Sequence, residues 1–314
     1  MPIATKRKEE AKKAAPIIEA EPEPQPEQEE QAPSKRVTAL VFSYDSAPAL
    51  RRCLTALEGS NDRVLIEILV VDCGSHDESP QLDSEFSDIT ILRLPRYFGR
   101  TKAFNIGTRT ATGEYLFFLT PEVEVLPTTI PALLARLESD SDAVAACPLL
   151  VNTEAQPATQ FYRLPTPETG ADLIAVQIDK NAESVAVEYA SFQALFVRKY
   201  FVKGINFLDE RYGDFGADAE ICFQIRRASR KTLVLPQVTA LHTPSSPYSD
   251  AARNLIEADR INGFAVYFAK HNGFVTSLFF RIKSALKALF SLRFPLFLAV
   301  VSGTKIDGSQ SEIL

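Results

Sequence analysis

The residues best able to do chemistry are acids, cations and one histidine lying just beyond apolar runs. Glu122 and Glu124 follow Glu114-Tyr115-Leu116-Phe117-Phe118-Leu119, a run with the signature of a strand buried on both faces. Thr120-Pro121 stops that run, because Pro121 brings no N–H to a ladder and forces Thr120 out of helical geometry. Ligands of open parallel sheets bind beyond the carboxyl ends of the strands. Acids held there are candidates to grip a metal or a sugar, or else they solvate a turn. Arg100 and Lys102 open a helical stretch, where cations and helix N–H groups suit phosphate. Asp72 closes another apolar run and can form an Asx-turn into Gly74. Asp218 precedes an apolar-periodic helix, where capping is the commonest use of an aspartate. His242 ends the run Val238-Thr239-Ala240-Leu241.

The elements that must position these groups alternate along the chain. Val37 to Tyr44 reads as a first buried strand, and Asp45-Ser46-Ala47-Pro48 as a helix start that Gly59 closes. Leu65–Val71 and Ile89–Leu94 are further strands, and a helix runs from about Arg100 to Gly113. Strands and helices alternating at this pace predict an α/β fold, a doubly wound, mostly parallel sheet flanked by helices.

Composition sets outer limits. The chain has 314 residues with 46% hydrophobic and 24% charged, ordinary for a soluble globular protein. A net charge of -6 argues against a nucleic-acid binder, which needs a basic footprint. The four cysteines, Cys53, Cys73, Cys147 and Cys222, are far apart and include no Cys-x-x-Cys, so they read as reduced thiols of a cytosolic protein. Residues 1–35 pass from Lys6-Arg7-Lys8 into Glu/Pro/Gln repetition with no signal-peptide core, and read as a disordered tail.

Four motifs in order carry a resemblance to family 2 glycosyltransferases of the GT-A fold, including rhamnosyltransferase-like members. They are Tyr44-Asp45, Val71-Asp72-Cys73-Gly74-Ser75-His76-Asp77, the segment Tyr97 to Gly107, and Gly113-Glu114-Tyr115 leading to the Thr120-Pro121-Glu122 loop. Gly204 to Tyr212, then Phe215-Gly216-Ala217-Asp218-Ala219-Glu220-Ile221-Cys222, and lastly Pro236 and His242 extend the likeness to about Ser246. The resemblance implies a nucleotide-sugar donor contacted by Tyr44, Asp45, Asp72, Ser75, Arg100, Lys102, Asn105 and Thr120. It implies Asp218 as general base, and Glu122 with His242 as ligands of Mg²⁺ or Mn²⁺. Two positions depart from the family pattern. Thr120-Pro121-Glu122 replaces an Asp-x-Asp type of loop, and Ala217 stands where the family has Glu.

The C-terminal part follows other rules. No acid occurs between Arg260 and Lys305, while seven Lys or Arg residues do. On a helical wheel Val275, Leu278, Phe279, Ile282, Leu286, Leu289 and Phe290 share one face, and Lys283 and Lys287 the other. This is the pattern of a basic amphipathic helix on an anionic membrane, or of a helix packed on its own domain. Phe294 to Val301 is too short to span a bilayer. The expected organisation is a tail (1–35), a glycosyltransferase-like domain (36–250) and a C-terminal amphipathic helical segment (251–314). The whole is expected to be cytoplasmic, peripheral on the inner face of the cell membrane. It would move a sugar, with inversion, to a hydroxyl of a saccharide or lipid-linked acceptor in cell-envelope or polysaccharide synthesis. A relative that binds nucleotide sugars or glycans without turnover is the alternative. A sugar nucleotidyltransferase is disfavoured, because Tyr44-Asp45-Ser46-Ala47 stands where a glycine-rich, basic loop is needed.

Overall fold

The computed structural model describes residues 36–60, 64–245 and 252–307, all within the unit Pro33–Leu314. The tail expected over 1–35 lies outside the described residues. In chain order the strands are β1 (Val37–Ser43), β2 (Ile66–Asp72), β3 (Ile89–Arg93), β4 (Tyr115–Leu119), β5 (Val123–Val125), β6 (Ala143–Val151), β7 (Phe161–Tyr162), β8 (Val185–Val187), β9 (Tyr189–Ala190), β10 (Ala194–Arg198) and β11 (Lys231–His242). The helices are α1 (Ala47–Glu58), α2 (Arg100–Thr110), α3 (Thr129–Ser139), α4 (Lys199–Gly204), α5 (Ala217–Arg227), α6 (Arg253–His271), α7 (Phe274–Phe290) and α8 (Phe294–Ser302).

The main sheet runs β3-β2-β1-β4-β10-β6-β11-β5, with β8 also on β11. From β3 to β4 every pairing is parallel, as alternating strands and helices predict. Beyond β4 the sheet becomes mixed: β10 is antiparallel to both β4 and β6, and β11 is antiparallel to β5. The chain builds outward from β1 to β3 and then returns to place β4 on the other side of β1. That reversal is the topological switch point, where the crevice of an open α/β sheet forms.

The central strands are buried on both faces, which is why they read as continuous apolar runs. Leu40, Phe42, Leu116 and Phe118 join one core layer, while Val37, Ala39, Val41, Phe117 and Leu119 join the other. All four cysteines are free and buried. The C-terminal helices share the first of these layers: Leu255, Phe264, Phe268, Phe280, Leu296, Val300 and Ile306 pack in the same cluster as Leu40 and Phe118.

Helix α7 reaches that core with small residues. Ser277, Ala285 and Ala288 are buried beside Phe280. The wide apolar face predicted from the helical wheel points the other way, with Phe279 69% and Phe290 82% exposed. Leu289 is the member of that face that is partly covered. No helix among the described residues is long and apolar enough to cross a membrane.

Candidate active site

The crevice opens at the carboxyl ends of β1 and β4. Tyr44 and Ser46 come from the turn after β1, Thr120 and Glu122 from the turn after β4, and His242 from the end of β11. Arg100 enters from the start of α2 and Gln193 from the residue before β10. Together they line a cavity of about 270 Å³. Five of the predicted site residues therefore converge there: Tyr44, Arg100, Thr120, Glu122 and His242.

Asp45, Asp72 and Ser75 form the adjoining rim. Asp72 is buried at the end of β2 and accepts from the Ser75 hydroxyl at 2.5 Å and the Ser75 N–H at 3.2 Å. Burial raises its carboxyl pKa, against the pull of those hydrogen bonds. Ser75 Oγ accepts in turn from the Asp45 N–H at 2.9 Å, and Asp45 Oδ1 from the His76 N–H at 2.6 Å. The Asx-turn that sequence allows at Asp72 is thus formed, and it locks the β1 and β2 turns together. Gly74, at φ 75°, is required here, since a Cβ would come within 2.6 Å of the Arg96 Cα. Asp77 extends the lock by accepting the Ala47 N–H at 2.8 Å, at the first residue of α1.

The paired acids after β4 separate. Glu124 turns toward α1 and pairs with Arg52 at 2.9 Å. Glu122 stays in the crevice, where Ser245 donates to its Oε1 at 2.7 Å. His242 is buried, and burial lowers its pKa although the Glu122 charge opposes this. A neutral ring with its proton on Nδ1 fits the 3.1 Å contact in which the Gln193 amide donates to Nε2. Among the described residues no group of three or more His, Cys, Asp or Glu side chains converges as a metal cage. Glu122 nonetheless fits the role of a single carboxylate that holds a hard cation beside substrate phosphate oxygens, and His242 lies near enough to feel its charge.

Helix α2 is positioned by a residue that sequence reasoning did not single out. Asp214 Oδ1 accepts the Arg100 N–H at 2.7 Å, and the Gly213 carbonyl accepts the Thr101 N–H at 3.2 Å and hydroxyl at 2.6 Å. The first amides of α2, expected to be open to phosphate, are therefore already bonded within the protein. What Arg100 offers the crevice is its side chain, which lies over the Phe42 ring at 5.5 Å. Lys102 and Asn105 do not line the crevice. Lys102 rests over the Phe98 ring at 4.4 Å. Asn105 is buried and clamps Leu208, donating to its carbonyl at 2.8 Å and accepting its N–H at 2.9 Å.

Asp218 lies in the first turn of α5, but it is not the cap. Gly216, left-handed at φ 98°, holds that position. The Asp218 carboxylate accepts its neighbour Ala219's N–H at 2.9 Å and lies near the Tyr189 hydroxyl and the Arg100 charge. Desolvation is the largest influence on it and raises its pKa. Arg100 thereby connects the crevice to Asp218. Ala217 is buried and apolar. Two residues after Asp218, Glu220 is a buried carboxylate ringed by donors: His271 at 2.6 Å, Gln224 at 2.7 Å, Lys270 at 2.8 Å and Tyr212 at 3.1 Å. Its pKa is lowered by these partners against the cost of burial.

The Glycosyl transferase family 2 model matches residues 38–202, just over half of the chain. The chain belongs to this family. For this family 2 glycosyltransferase, the matched span carries the β1, β2 and β4 turns of the crevice, while Asp218 and His242 lie after it. Solved structures share its GT-A fold. A crystal structure of GalNAc-T7 with UDP, GalNAc and Mn²⁺ superposes with a TM-score of 0.56 at 15% identity, over 82% of this chain and 58% of that one. The chain thus spans little more than half of GalNAc-T7. The mannosyltransferase PcManGT from Pyrobaculum calidifontis, in complex with GDP-Man and Mn²⁺, gives 0.54 at 14% identity over 85% and 73%. S. aureus TarS 1-349 gives 0.51 at 12% identity over 85% and 90%. At these identities the likeness concerns the fold.

Proposed function

We propose that this family 2 protein transfers a sugar from a nucleotide-sugar donor to an acceptor hydroxyl, with inversion at the anomeric carbon. The observation that carries the reading is the convergence of Tyr44, Arg100, Thr120, Glu122 and His242 at the β1/β4 switch point, with Asp218 behind Arg100. The nucleoside lies along the Asp45–Asp72–Ser75 rim, and the diphosphate enters the crevice beside the Arg100 guanidinium. Asn105 and Lys102 support α2 and its loop from outside. In the transfer step the acceptor oxygen bonds the anomeric carbon, the bond from that carbon to the diphosphate breaks, and the acceptor proton passes to Asp218. A partly desolvated carboxylate with a raised pKa is a stronger base than a fully solvated one, which suits this task.

Glu122 and His242 would hold Mg²⁺ or Mn²⁺ together with the diphosphate oxygens, and Gln193 would have to release Nε2. Such a cation supplies charge neutralisation to the leaving diphosphate. Two neighbours in the fold are described with Mn²⁺. A second reading, a protein that binds the donor without turnover, is favoured by Thr120 and Ala217, which put neutral side chains where the family has acids. Replacing Asp218 by Asn separates the two: an enzyme loses transfer and keeps donor binding, whereas a binder shows no transfer before or after the change and keeps donor binding.

The same proposal places the protein on the inner face of the cell membrane, acting on a saccharide or lipid-linked acceptor of polysaccharide synthesis. Its support is the outward apolar face of α7, continued by Leu298 and Val301 of α8. Lys283 and Lys287 flank that face, and neither makes an ion pair among the described residues. The loop between β7 and β8 reaches from Tyr162, near Asp218, to Gly170, where an added Cβ would come within 2.9 Å of the Phe280 ring of α7.

A further inference from the structure

The proposed base is held by more than its own helix. β9 is only two residues long, yet it is anchored at both of them. Tyr189 pairs with Tyr162 of β7, their rings 5.3 Å apart and tilted by 42°. The next residue, Ala190, is latched to α5: its N–H approaches Cys222 Sγ at 3.5 Å, and that thiol points back to the Ala190 carbonyl at 3.6 Å. Cys222 lies one helical turn after Asp218. The latch therefore fixes β9 against the face of α5 that carries Asp218. Tyr189 is 3% exposed, and its hydroxyl lies close enough to the Asp218 carboxylate for the two to act on each other.

From this geometry we infer that Tyr189 is the positioning residue for Asp218: its hydroxyl donates to the carboxylate and aims it at the acceptor. The inference rests on the reading of Asp218 as the base. Other groups facing Asp218 do not fill this role. Tyr162 donates its own hydroxyl to the Thr159 carbonyl at 3.3 Å. Cys222 is turned to Ala190. Arg100 contributes charge from α2, but its side chain also lines the crevice. The Ala219 N–H bonds Oδ1 from within the helix and cannot orient the carboxylate across the gap to β9. Desolvation raises the Asp218 pKa, and a neutral donor favours the ionised form without adding a charge of its own.

Carbon-13 NMR of the full chain labelled at the aspartate carboxyls tests this without any ligand, the Asp218 resonance being identified by its loss in Asp218→Asn. In Tyr189→Phe the Asp218 titration should move upward by about one pH unit, a tenfold gain in proton affinity. An unchanged or lowered midpoint in folded Tyr189→Phe overturns the inference. Should that variant not fold, tyrosine labelled at Cζ gives the reciprocal reading: Asp218→Asn should bring the Tyr189 hydroxyl titration down, and no movement overturns the inference. Failure of the base assignment is distinct, since it would show as sugar transfer retained by Asp218→Asn whatever the titrations do.

Discussion

The Asp214 carboxylate accepts the backbone N–H of Arg100 at 2.7 Å, joining the loop before α5 to the first residue of α2. Its other oxygen accepts the buried Tyr97 hydroxyl at 2.6 Å, and its own N–H bonds Asp259 Oδ2 on α6 at 2.8 Å. Asp259 Oδ1 accepts the Ile306 N–H at 2.8 Å. One chain of bonds thus runs from the C-terminal segment through α6 to the residue that enters the crevice. The C-terminal helices, treated in sequence as an appendage, are part of the frame of the site.

Asp214→Ala removes a helix-start acceptor and the bond it takes from the buried Tyr97 hydroxyl. Together these should cost about 2–4 kcal/mol of stability. Urea unfolding checks the loss. Donor affinity should fall with it, because Arg100 loses its anchor.

Asp218→Asn should lower transfer by about 10²–10⁴-fold, the usual contribution of a general base, with donor binding unchanged by calorimetry. Its effect on stability has the opposite sign. The folded-state pKa of Asp218 is raised, so its contribution is present at low pH and is lost as pH rises through that value. At pH 7 the ionised carboxylate opposes folding, and Asp218→Asn should unfold at a urea concentration no lower than the parent.

His242 gives a second pH dependence. Its folded-state pKa lies below the ordinary 6.5, so on acidification the unfolded chain takes up the proton first. Stability should therefore fall as pH drops from about 6.5 toward the lowered native value. Unfolding of the parent and His242→Gln at pH 7.5, 6.5 and 5.5 isolates this: the gap between them should narrow with acid.

The outward face of α7 predicts interfacial binding. Phe279→Glu with Phe290→Glu should abolish co-sedimentation with phosphatidylglycerol vesicles, since burying each phenyl ring contributes about 1.5–3 kcal/mol. Both rings are exposed, so the urea midpoint should barely move. Unaltered sedimentation would remove the membrane from the account.

What could be read in advance follows from how local each feature is. The strands of the parallel half announce themselves as runs buried on both faces, and Asp72 declares its turn because Gly74 and Ser75 follow directly. The antiparallel entry of β10 was not legible, since a buried strand carries no mark of its direction. Asp214, Asp259 and Gln193 were missed because their partners lie 45 or more residues away. Glu122 and Glu124 look equivalent in sequence, and only the placement of Arg52 on α1 separates them. The helical wheel found the apolar face of α7 but set Lys283 and Lys287 opposite it, whereas both lysines are exposed. It could not say which face the small residues Ser277, Ala285 and Ala288 would turn inward.

The most direct test of the central claim is calorimetric titration of UDP- and GDP-sugars into the protein and its Glu122→Ala variant, each with and without Mn²⁺. The account predicts that at least one donor binds the parent, more tightly with Mn²⁺, and that the metal enhancement disappears in Glu122→Ala. Absence of binding by every donor, with and without the metal, would contradict it.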